Sequence, residues 1–225
     1  MTDWRPVLAI LASVAFAIAS AGLAPPPAAA QTPDQPAPQV AAEPEAVTDG
    51  ADRVGPPKSP AEEAQRRQAR LDDLFTRLAQ ADSPGWEGIQ SEIWALWSQS
   101  GSASMDLLLR RASEAMESQQ LELALRFLND LVRLAPDFAG GWNKRATVHS
   151  LLGEYGSSVA DIEHTLALEP RHFGTLGGLG MIMERLGNKG GAMLAYRRGL
   201  EIHSNLPGAV EGIERLSEDV DGREL

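Results

Sequence analysis

Residues 139–172 read AGGWNKRATVHSLLGEYGSSVADIEHTLALEPRH. Trp142 and Ala146 lie one helical turn apart, so a large and a small side chain share one face of a first helix. Residues 153–155, Gly-Glu-Tyr, interrupt this pattern at its middle, where glycine tolerates the left-handed backbone with which many helices end. A second apolar stripe follows and stops at Pro170, because proline does not fit the interior of a helix. The stretch therefore predicts two antiparallel helices joined by a short turn.

The same frame recurs at intervals of 34 residues. The large residue of the first helix returns as Leu74, Leu108, Trp142 and Leu176. The position one turn later is occupied by Leu78, Ala112, Ala146 and Gly180, and the second helix carries Trp94, Leu128, Ile162 and Tyr196. Because the register is kept at several positions in adjacent units, the sequence indicates internal repeats of a stacked helix pair.

These residues resemble the tetratricopeptide repeat (TPR), whose pattern has a bulky residue, a small one four later, Gly-Asp/Glu-Tyr at the internal turn and a closing proline. Residues 139–172 match this pattern best, although Ser158 replaces the usual alanine and Thr165 the usual small residue. The assigned units are TPR 1 at residues 105–138, TPR 2 at 139–172 and TPR 3 at 173–206, with a helical hairpin (a degenerate repeat) at 61–104 and a capping helix and tail at 207–225.

The resemblance implies an all-α fold: a right-handed superhelical stack of antiparallel helix pairs, with the degenerate repeat at its N-terminal end and the capping helix at its C-terminal end. Each helix pair carries apolar stripes that it cannot cover alone, so neighbouring units must stack. Small residues such as Ala112 and Ala146 let paired helices approach. Gly153 and Gly187 are expected to end the first helices of their units.

The first thirty residues have the organisation of an export signal. An apolar run extends from Val7 to Leu23, and Ala28 and Ala30 form the A-x-A pattern that precedes a cleavage site. Residues 1–30 are therefore predicted to be a secretory signal peptide. An uncleaved membrane anchor is the alternative, because the run approaches the length that spans a bilayer. Either interpretation places the repeats outside the cytoplasm, in the periplasm or secreted.

Residues 31–60 separate this signal from the repeats. The segment is rich in Pro, Ala and acidic residues and carries few large apolar side chains. Such a composition cannot bury enough apolar surface to fold, so the segment is expected to be a disordered linker.

The composition also narrows the function classes. A formal net charge of -11 argues against nucleic acid as a partner, because phosphate backbones are bound by clustered Lys and Arg. The absence of cysteine from the sequence excludes disulfides, thiolate zinc sites and thiol nucleophiles. The four histidines lack metal-motif spacing, and the sequence contains no G-x-S-x-G or S-x-x-K motif. We therefore predict no catalytic, cofactor-binding or metal-binding residues. His149 is expected to be semi-buried and His164 to face solvent.

The resemblance implies a binding surface as well. In TPR stacks the first helices of successive units line a concave groove in which ligands generally lie. The matching residues are Leu109, Ser113 and Met116 in TPR 1, Asn143, Thr147 and Ser150 in TPR 2, and Gly177, Met181 and Glu184 in TPR 3. Asn143 is expected to bond a peptide backbone, and Leu109 and Met181 to offer apolar contacts. This face lacks the Lys, Asn and Arg set with which chaperone-binding TPRs hold a terminal carboxylate.

Two biased segments leave alternatives open. Trp86, Trp94 and Trp97 in the hairpin are expected to cover the N-terminal edge of the stack, or else to form an aromatic contact surface. TPR 3 is unusually rich in glycine, which indicates either poor helix formers held by their neighbours or a wall that a peptide backbone can approach. On propensity alone TPR 3 is expected to be the least stable repeat.

The sequence thus favours a non-enzymatic scaffold or adaptor that binds a protein or peptide in the TPR groove of the periplasm. The alternative is a self-associating or membrane-tethered factor of envelope assembly.

Overall fold

The computed structural model of the protein describes residues 59–80 and 85–221. The described residues form nine α-helices and no β-strand. The helices are α1 (Pro60–Ala79), α2 (Trp86–Trp97), α3 (Ala103–Glu117), α4 (Leu121–Leu134), α5 (Ala139–Leu151), α6 (Tyr155–Leu168), α7 (Phe173–Arg185), α8 (Lys189–Ile202) and α9 (Ala209–Asp221). The predicted signal peptide, residues 1–30, and nearly all of the predicted linker lie outside the described residues, so both stay predictions.

The predicted all-α TPR fold is confirmed. Helices α3 and α4 pair within TPR 1, α5 and α6 within TPR 2, and α7 and α8 within TPR 3. Successive units stack, because α4 packs on α5 and α6 packs on α7, and α9 covers α8 and part of α7 at the C-terminal end. The unit boundaries at residues 104, 138, 172 and 206 stay sequence-based assignments.

The turn inside each repeat needs a left-handed residue. Gly153 and Gly187 have φ angles of 77° and 74°, as expected where the first helices of TPR 2 and TPR 3 end. TPR 1 places Gln119 at the equivalent position, with a φ angle of 58°. A side chain at Cβ makes this conformation unfavourable, so the turn of TPR 1 is strained relative to the other two.

The hairpin of α1 and α2 packs at a place that the repeat pattern does not predict. The sequence favours tryptophans that cover the N-terminal edge of the stack, in front of TPR 1. In the structure Trp97 instead stacks on His172, with ring centroids 3.9 Å apart. The ring centroids of Trp94 and Trp97 lie 5.9 and 5.0 Å from that of Phe173, the first residue of α7. The hairpin therefore packs on the start of TPR 3.

Two polar contacts hold the hairpin in this position. Arg171 donates to Asp72 of α1 at 2.8 Å, and His203 bonds Gln90 of α2 at 2.8 Å. The hairpin thus contacts the loops that lead into and out of TPR 3. The 34-residue pattern identifies the apolar face of the hairpin, but any sufficiently apolar surface can cover such a face.

The buried side chains form two clusters. The larger cluster joins the hairpin, TPR 2, TPR 3 and the capping helix, and includes Leu74, Ile93, Ile162, Phe173 and Leu216. The smaller cluster lies within TPR 1 and borrows Val148 from TPR 2. TPR 1 is therefore the repeat with the least support from other elements.

Candidate functional site

A pocket of about 590 Å³ lies between α5 and α7. Asn143, Thr147 and Ser150 line it from α5, and Met181 and Arg185 line it from α7. We call it the groove pocket. Four of its lining residues are predicted groove residues, and Met181 is 56% exposed. The structure thus brings side chains from TPR 2 and TPR 3 together on one surface.

A chain of hydrogen bonds fixes the orientation of the Asn143 amide. The Thr175 hydroxyl donates to Asn143 Oδ1 at 2.8 Å. The backbone N–H of Thr175 donates to His172 Nδ1 at 3.2 Å, so this nitrogen is the acceptor. Because Oδ1 is engaged, the NH2 group of Asn143 remains for a ligand, and the described residues provide it no acceptor. The sequence gives no local sign of this chain, because its members come from two repeats.

His172 is completely buried where the hairpin meets TPR 3. Burial lowers the pKa of His172 to about 3, so the ring is neutral at neutral pH. His203, which is also buried at the hairpin, has its pKa lowered by the same cause. Both rings therefore act as neutral hydrogen-bonding groups beside the groove.

A second pocket, of about 200 Å³, adjoins the groove pocket. Gln90 and Trp94 of the hairpin, Gly177 of α7, and Leu206 and Pro207 before the capping helix line it. We call it the hairpin pocket. The predicted groove residues Gly177 and Met181 both lie on its wall. The repeat pattern predicts neither Gln90 nor Leu206 here, because it assigns the groove to the first helices of the repeats. Trp94 belongs to the aromatic contact surface that the sequence offers as an alternative.

Glu184, a predicted groove residue, is engaged by the protein itself. Tyr196 Oη donates to Glu184 Oε1 at 2.6 Å, and Arg215 of the capping helix pairs with the same oxygen at 3.0 Å. Burial and the hydrogen bond to Glu184 raise the pKa of Tyr196 above its usual range. Glu184 therefore anchors the capping helix, and it lines neither of the two pockets.

The candidates from TPR 1 do not line the groove pocket. Leu109 is only 6% exposed and belongs to the TPR 1 cluster, which corrects the expectation that it offers an apolar contact to a ligand. Met116 is half-buried against the same cluster, and Ser113 is half-buried on α3. The binding role of Ser113 and Met116 stays a prediction. A position at the groove face of the pattern does not guarantee an exposed side chain.

The glycines of α7 fall into two groups. A Cβ at Gly174 would lie 2.5 Å from the Trp94 ring, and one at Gly180 would lie 2.3 Å from the Tyr196 ring. These two glycines are required by packing. A Cβ at Gly177 would meet Leu206 at an ordinary 3.7 Å, and one at Gly178 would meet no described atom within 4 Å beyond its own helix backbone. The packing of the described residues therefore does not explain Gly177 and Gly178.

A polar network joins TPR 1 to TPR 2. Arg145 donates to both carboxylate oxygens of Asp161, at 2.8 and 2.7 Å, and to Asn129 at 2.9 Å. His149 lies beside it and is half-buried, as predicted. Its ring is also bonded to Glu154 at 2.6 Å. These groups satisfy one another, so we assign the network a role in stacking.

His164 is exposed, as predicted, and its ring stacks on that of Trp142. Within residues 59–80 and 85–221, no three His, Asp or Glu side chains gather in a way that could hold a metal ion. The same part of the chain contains no helix that combines the length and the hydropathy of a membrane span.

The comparisons with known proteins agree with this architecture. A TPR repeat-containing protein of Rhizobium etli is 40% identical over 154 residues, which cover 68% of this chain and 76% of the relative. No family model matches the chain. On the strength of the R. etli relative, the chain belongs to the TPR repeat-containing proteins.

Solved structures give the same fold. The Sgt2 TPR domain from Aspergillus fumigatus is 20% identical, with a TM-score of 0.51 over 55% of this chain and 83% of that domain. The first TPR of Spaghetti (RPAP3), solved bound to the HSP90 peptide SRMEEVD, is 16% identical, with a TM-score of 0.50 over 52% of this chain and 93% of that one. At these identities the likeness concerns the fold alone.

Proposed function

We propose that this protein is a non-enzymatic scaffold or adaptor that binds an extended segment of another protein in its TPR groove, and that it works in the periplasm after export. The groove pocket carries the proposal, because it gathers predicted groove residues from TPR 2 and TPR 3 around one cavity.

The polar groups of this pocket suit an extended backbone. An extended peptide has unpaired N–H and C=O groups, and binding surfaces recognise them with fixed donors and acceptors. The NH2 group of Asn143 supplies a donor whose direction is set by Thr175. The Thr147 hydroxyl donates to the Asn143 carbonyl at 3.0 Å, so its oxygen lone pairs remain as acceptors. Met181 adds an adaptable apolar contact.

A solved structure of the same fold supports a peptide ligand in general terms. The RPAP3 domain that shares this fold was solved with an HSP90 peptide. The groove of the present chain lacks the Lys, Asn and Arg set expected for a terminal carboxylate, so we propose an internal segment of the partner as the ligand.

The periplasmic location is proposed from residues 1–30, by the apolar run and the A-x-A pattern. Intact-mass analysis of the protein purified from fractionated cells tests it. A periplasmic product that begins at Gln31 supports cleavage, a full-length product in the membrane fraction supports the anchor alternative, and a full-length cytosolic product contradicts export.

Site-specific photo-crosslinking in the cells that make the protein tests the groove. A benzoylphenylalanine at Thr147 lies in the groove pocket, and one at Arg126 lies on the outer helix α4 as a control. We expect a partner to crosslink from Thr147 and not from Arg126. Asn143→Ala and Met181→Ala should weaken the crosslink, whereas Glu122→Ala on α4 should not.

The groove assignment is overturned if the same proteins crosslink from both positions, or if Asn143→Ala and Met181→Ala leave capture unchanged. Light scattering on the purified protein decides the self-association alternative, because a stable oligomer with the groove covered by a second copy would favour it.

A further inference from the structure

The structure adds to the groove a subsite that the repeats alone do not form. We propose that the hairpin pocket receives a large apolar side chain of the bound segment, while Arg185 at the groove pocket pairs with an acidic residue of the same segment. This inference rests on the proposed function and names the partner: an extended peptide that carries one bulky apolar and one acidic residue.

The two pockets form a continuous surface. Gly174, Gly178 and Met181 line both of them, so the two pockets share one wall of α7. A peptide that lies along α5 and α7 in the groove pocket therefore reaches the hairpin pocket without leaving the protein surface. The N-terminal hairpin supplies one wall of this extended groove.

The hairpin pocket is suited to an apolar side chain. Trp94, Met181 and Leu206 contribute to its walls, and none of the described residues that line it carries a full charge. Its volume of about 200 Å³ is too small for a helix, which is about 10–12 Å wide with its side chains. Burial of one large apolar side chain is the interaction that such a surface can make.

The glycines of α7 support the same conclusion. Glycine disfavours the interior of a helix, and the described packing requires it at neither Gly177 nor Gly178. Gly177 lines the hairpin pocket and Gly178 lines both pockets, so a larger residue at either position would add bulk to the pocket wall. The absence of a side chain at these two glycines therefore leaves room for a ligand in the groove.

Gln90 provides a side-chain hydrogen-bond donor beside the hairpin pocket. His203 and Gln90 Oε1 lie 2.8 Å apart, and the amide oxygen can only accept, so His203 Nε2–H donates. The NH2 group of Gln90 is then left without an acceptor among residues 59–80 and 85–221, and Gln90 lines the pocket. Gln90 thus offers a side-chain NH2 donor at the hairpin pocket, as Asn143 does at the groove pocket.

The positive charge of Arg185 favours an acidic residue in the bound peptide. Among the described residues that line the two pockets, Arg185 alone carries a full charge, and the structure gives it no ion pair there. An acidic side chain complements it, whereas a basic one would be repelled.

Selection from a phage-displayed library of random linear peptides on the purified protein tests the inference. We expect the enriched sequences to share a large apolar residue and an Asp or Glu. One peptide from this set is then synthesised, together with a variant that carries Ala at the apolar position. Calorimetry measures the affinity of both peptides for the native protein and for Gly177→Leu, which fills the hairpin pocket, and these four affinities form a double-mutant cycle. Gly190→Leu is the matched control, because Gly190 is an exposed helical glycine with open space around it in the described structure.

For the native protein we expect replacement of the apolar residue by Ala to weaken binding about tenfold or more. Gly177→Leu should bind both peptides with the weaker affinity, and Gly190→Leu should behave as the native protein. Arg185→Gln should bind the parent peptide about twofold to fivefold more weakly, and should bind a third peptide, with Ala in place of the acidic residue, as the native protein does. Circular dichroism should show native helix content in every variant.

The outcomes separate the two proposals. If no peptide is enriched, or if binding survives Asn143→Ala unchanged, the proposed function fails and the inference fails with it. If binding needs Asn143 but Gly177→Leu leaves the cycle unchanged, the groove stands and the hairpin pocket is excluded as a subsite.

Discussion

TPR 1 and TPR 3 share one repeat frame but are supported differently. TPR 3 is covered by the hairpin, TPR 2 and the capping helix in one large cluster, whereas TPR 1 has a small cluster of its own. The glycine content of TPR 3 leads to the expectation that it is the least stable repeat. The packing favours the opposite order, because burial contributes more to the stability of a helix in a protein than propensity does. Support from outside the repeat therefore offsets a poor helical sequence.

The largest expected effect comes from the residue at the centre of this support. Phe173 is 1% exposed and contacts rings of both hairpin helices and of His203. We expect Phe173→Ala to lower the free energy of unfolding by about 3–5 kcal/mol. Phe127→Ala, at a half-buried site of TPR 1, should cost clearly less. Urea unfolding followed by circular dichroism measures both, and equal losses would contradict the comparison.

Acid should lower the free energy of unfolding through the histidines that are buried where the hairpin meets TPR 3. His172 has a pKa of about 3 in the folded protein and about 6.5 when unfolded. Its contribution is therefore complete above about pH 6.5 and is lost as the pH falls toward 3, because only the unfolded chain takes up the proton. The loss amounts to about 2 kcal/mol at about pH 5. His203 acts in the same direction.

Urea unfolding at about pH 7.5 and about pH 5 checks this prediction. The difference between the two conditions should shrink in His172→Gln and persist in His164→Gln, whose ring is exposed. An unchanged pH dependence in His172→Gln would remove His172 as its source.

A smaller effect is expected at the start of α8, the second helix of TPR 3. Asn188 accepts from the Gly191 N–H at 2.9 Å and so caps α8. We expect Asn188→Ala to cost about 1 kcal/mol. Gln120 holds the same repeat position in TPR 1, but its side chain accepts no cap hydrogen bond from a described backbone N–H. Gln120→Ala should therefore change the free energy of unfolding by less than about 0.5 kcal/mol. Similar losses in the two variants would show that the cap is not what distinguishes them.

The smallest expected effect is a gain in stability from relieving the strained turn of TPR 1. Gln119→Gly places glycine where TPR 2 and TPR 3 have Gly153 and Gly187. It relieves the left-handed strain but adds entropy to the unfolded chain, so we expect a net gain of about 0.5–1 kcal/mol. The reciprocal change Gly153→Gln should lose stability. A loss in Gln119→Gly would show that the glutamine side chain makes a contact worth more than the strain.

The sequence predicts the parts of this fold that depend on local and next-neighbour packing. The 34-residue frame identifies the three helix pairs, and the turns at Gly153 and Gly187 follow from backbone conformation alone. The site is predicted less completely. Asn143, Thr147, Ser150 and Met181 are implied by the resemblance to the TPR and line the groove pocket, but Leu109 is buried by its neighbours.

The sequence names Gly177 and Met181 as groove residues and offers Trp94 as part of an aromatic contact surface, but it does not predict that the three meet at one pocket. Trp94 reaches Gly174 only because the hairpin packs on TPR 3, and a repeat pattern does not identify distant partners. The pairs His172 with Trp97 and His203 with Gln90 likewise join segments far apart in the chain. Such contacts depend on the three-dimensional path of the chain, which periodicity does not encode.

The bond between Asp72 and Arg171 spans 99 positions of the chain. In an array whose members touch only the next one, units can be added or deleted with little effect elsewhere. Here an extra unit inserted ahead of TPR 3 would separate TPR 3 from the hairpin that packs on it, and would expose side chains of the large cluster. The contact between the hairpin and TPR 3 therefore constrains the number of repeats between them. We expect related proteins that keep the hairpin to differ by substitution and to retain the same number of units.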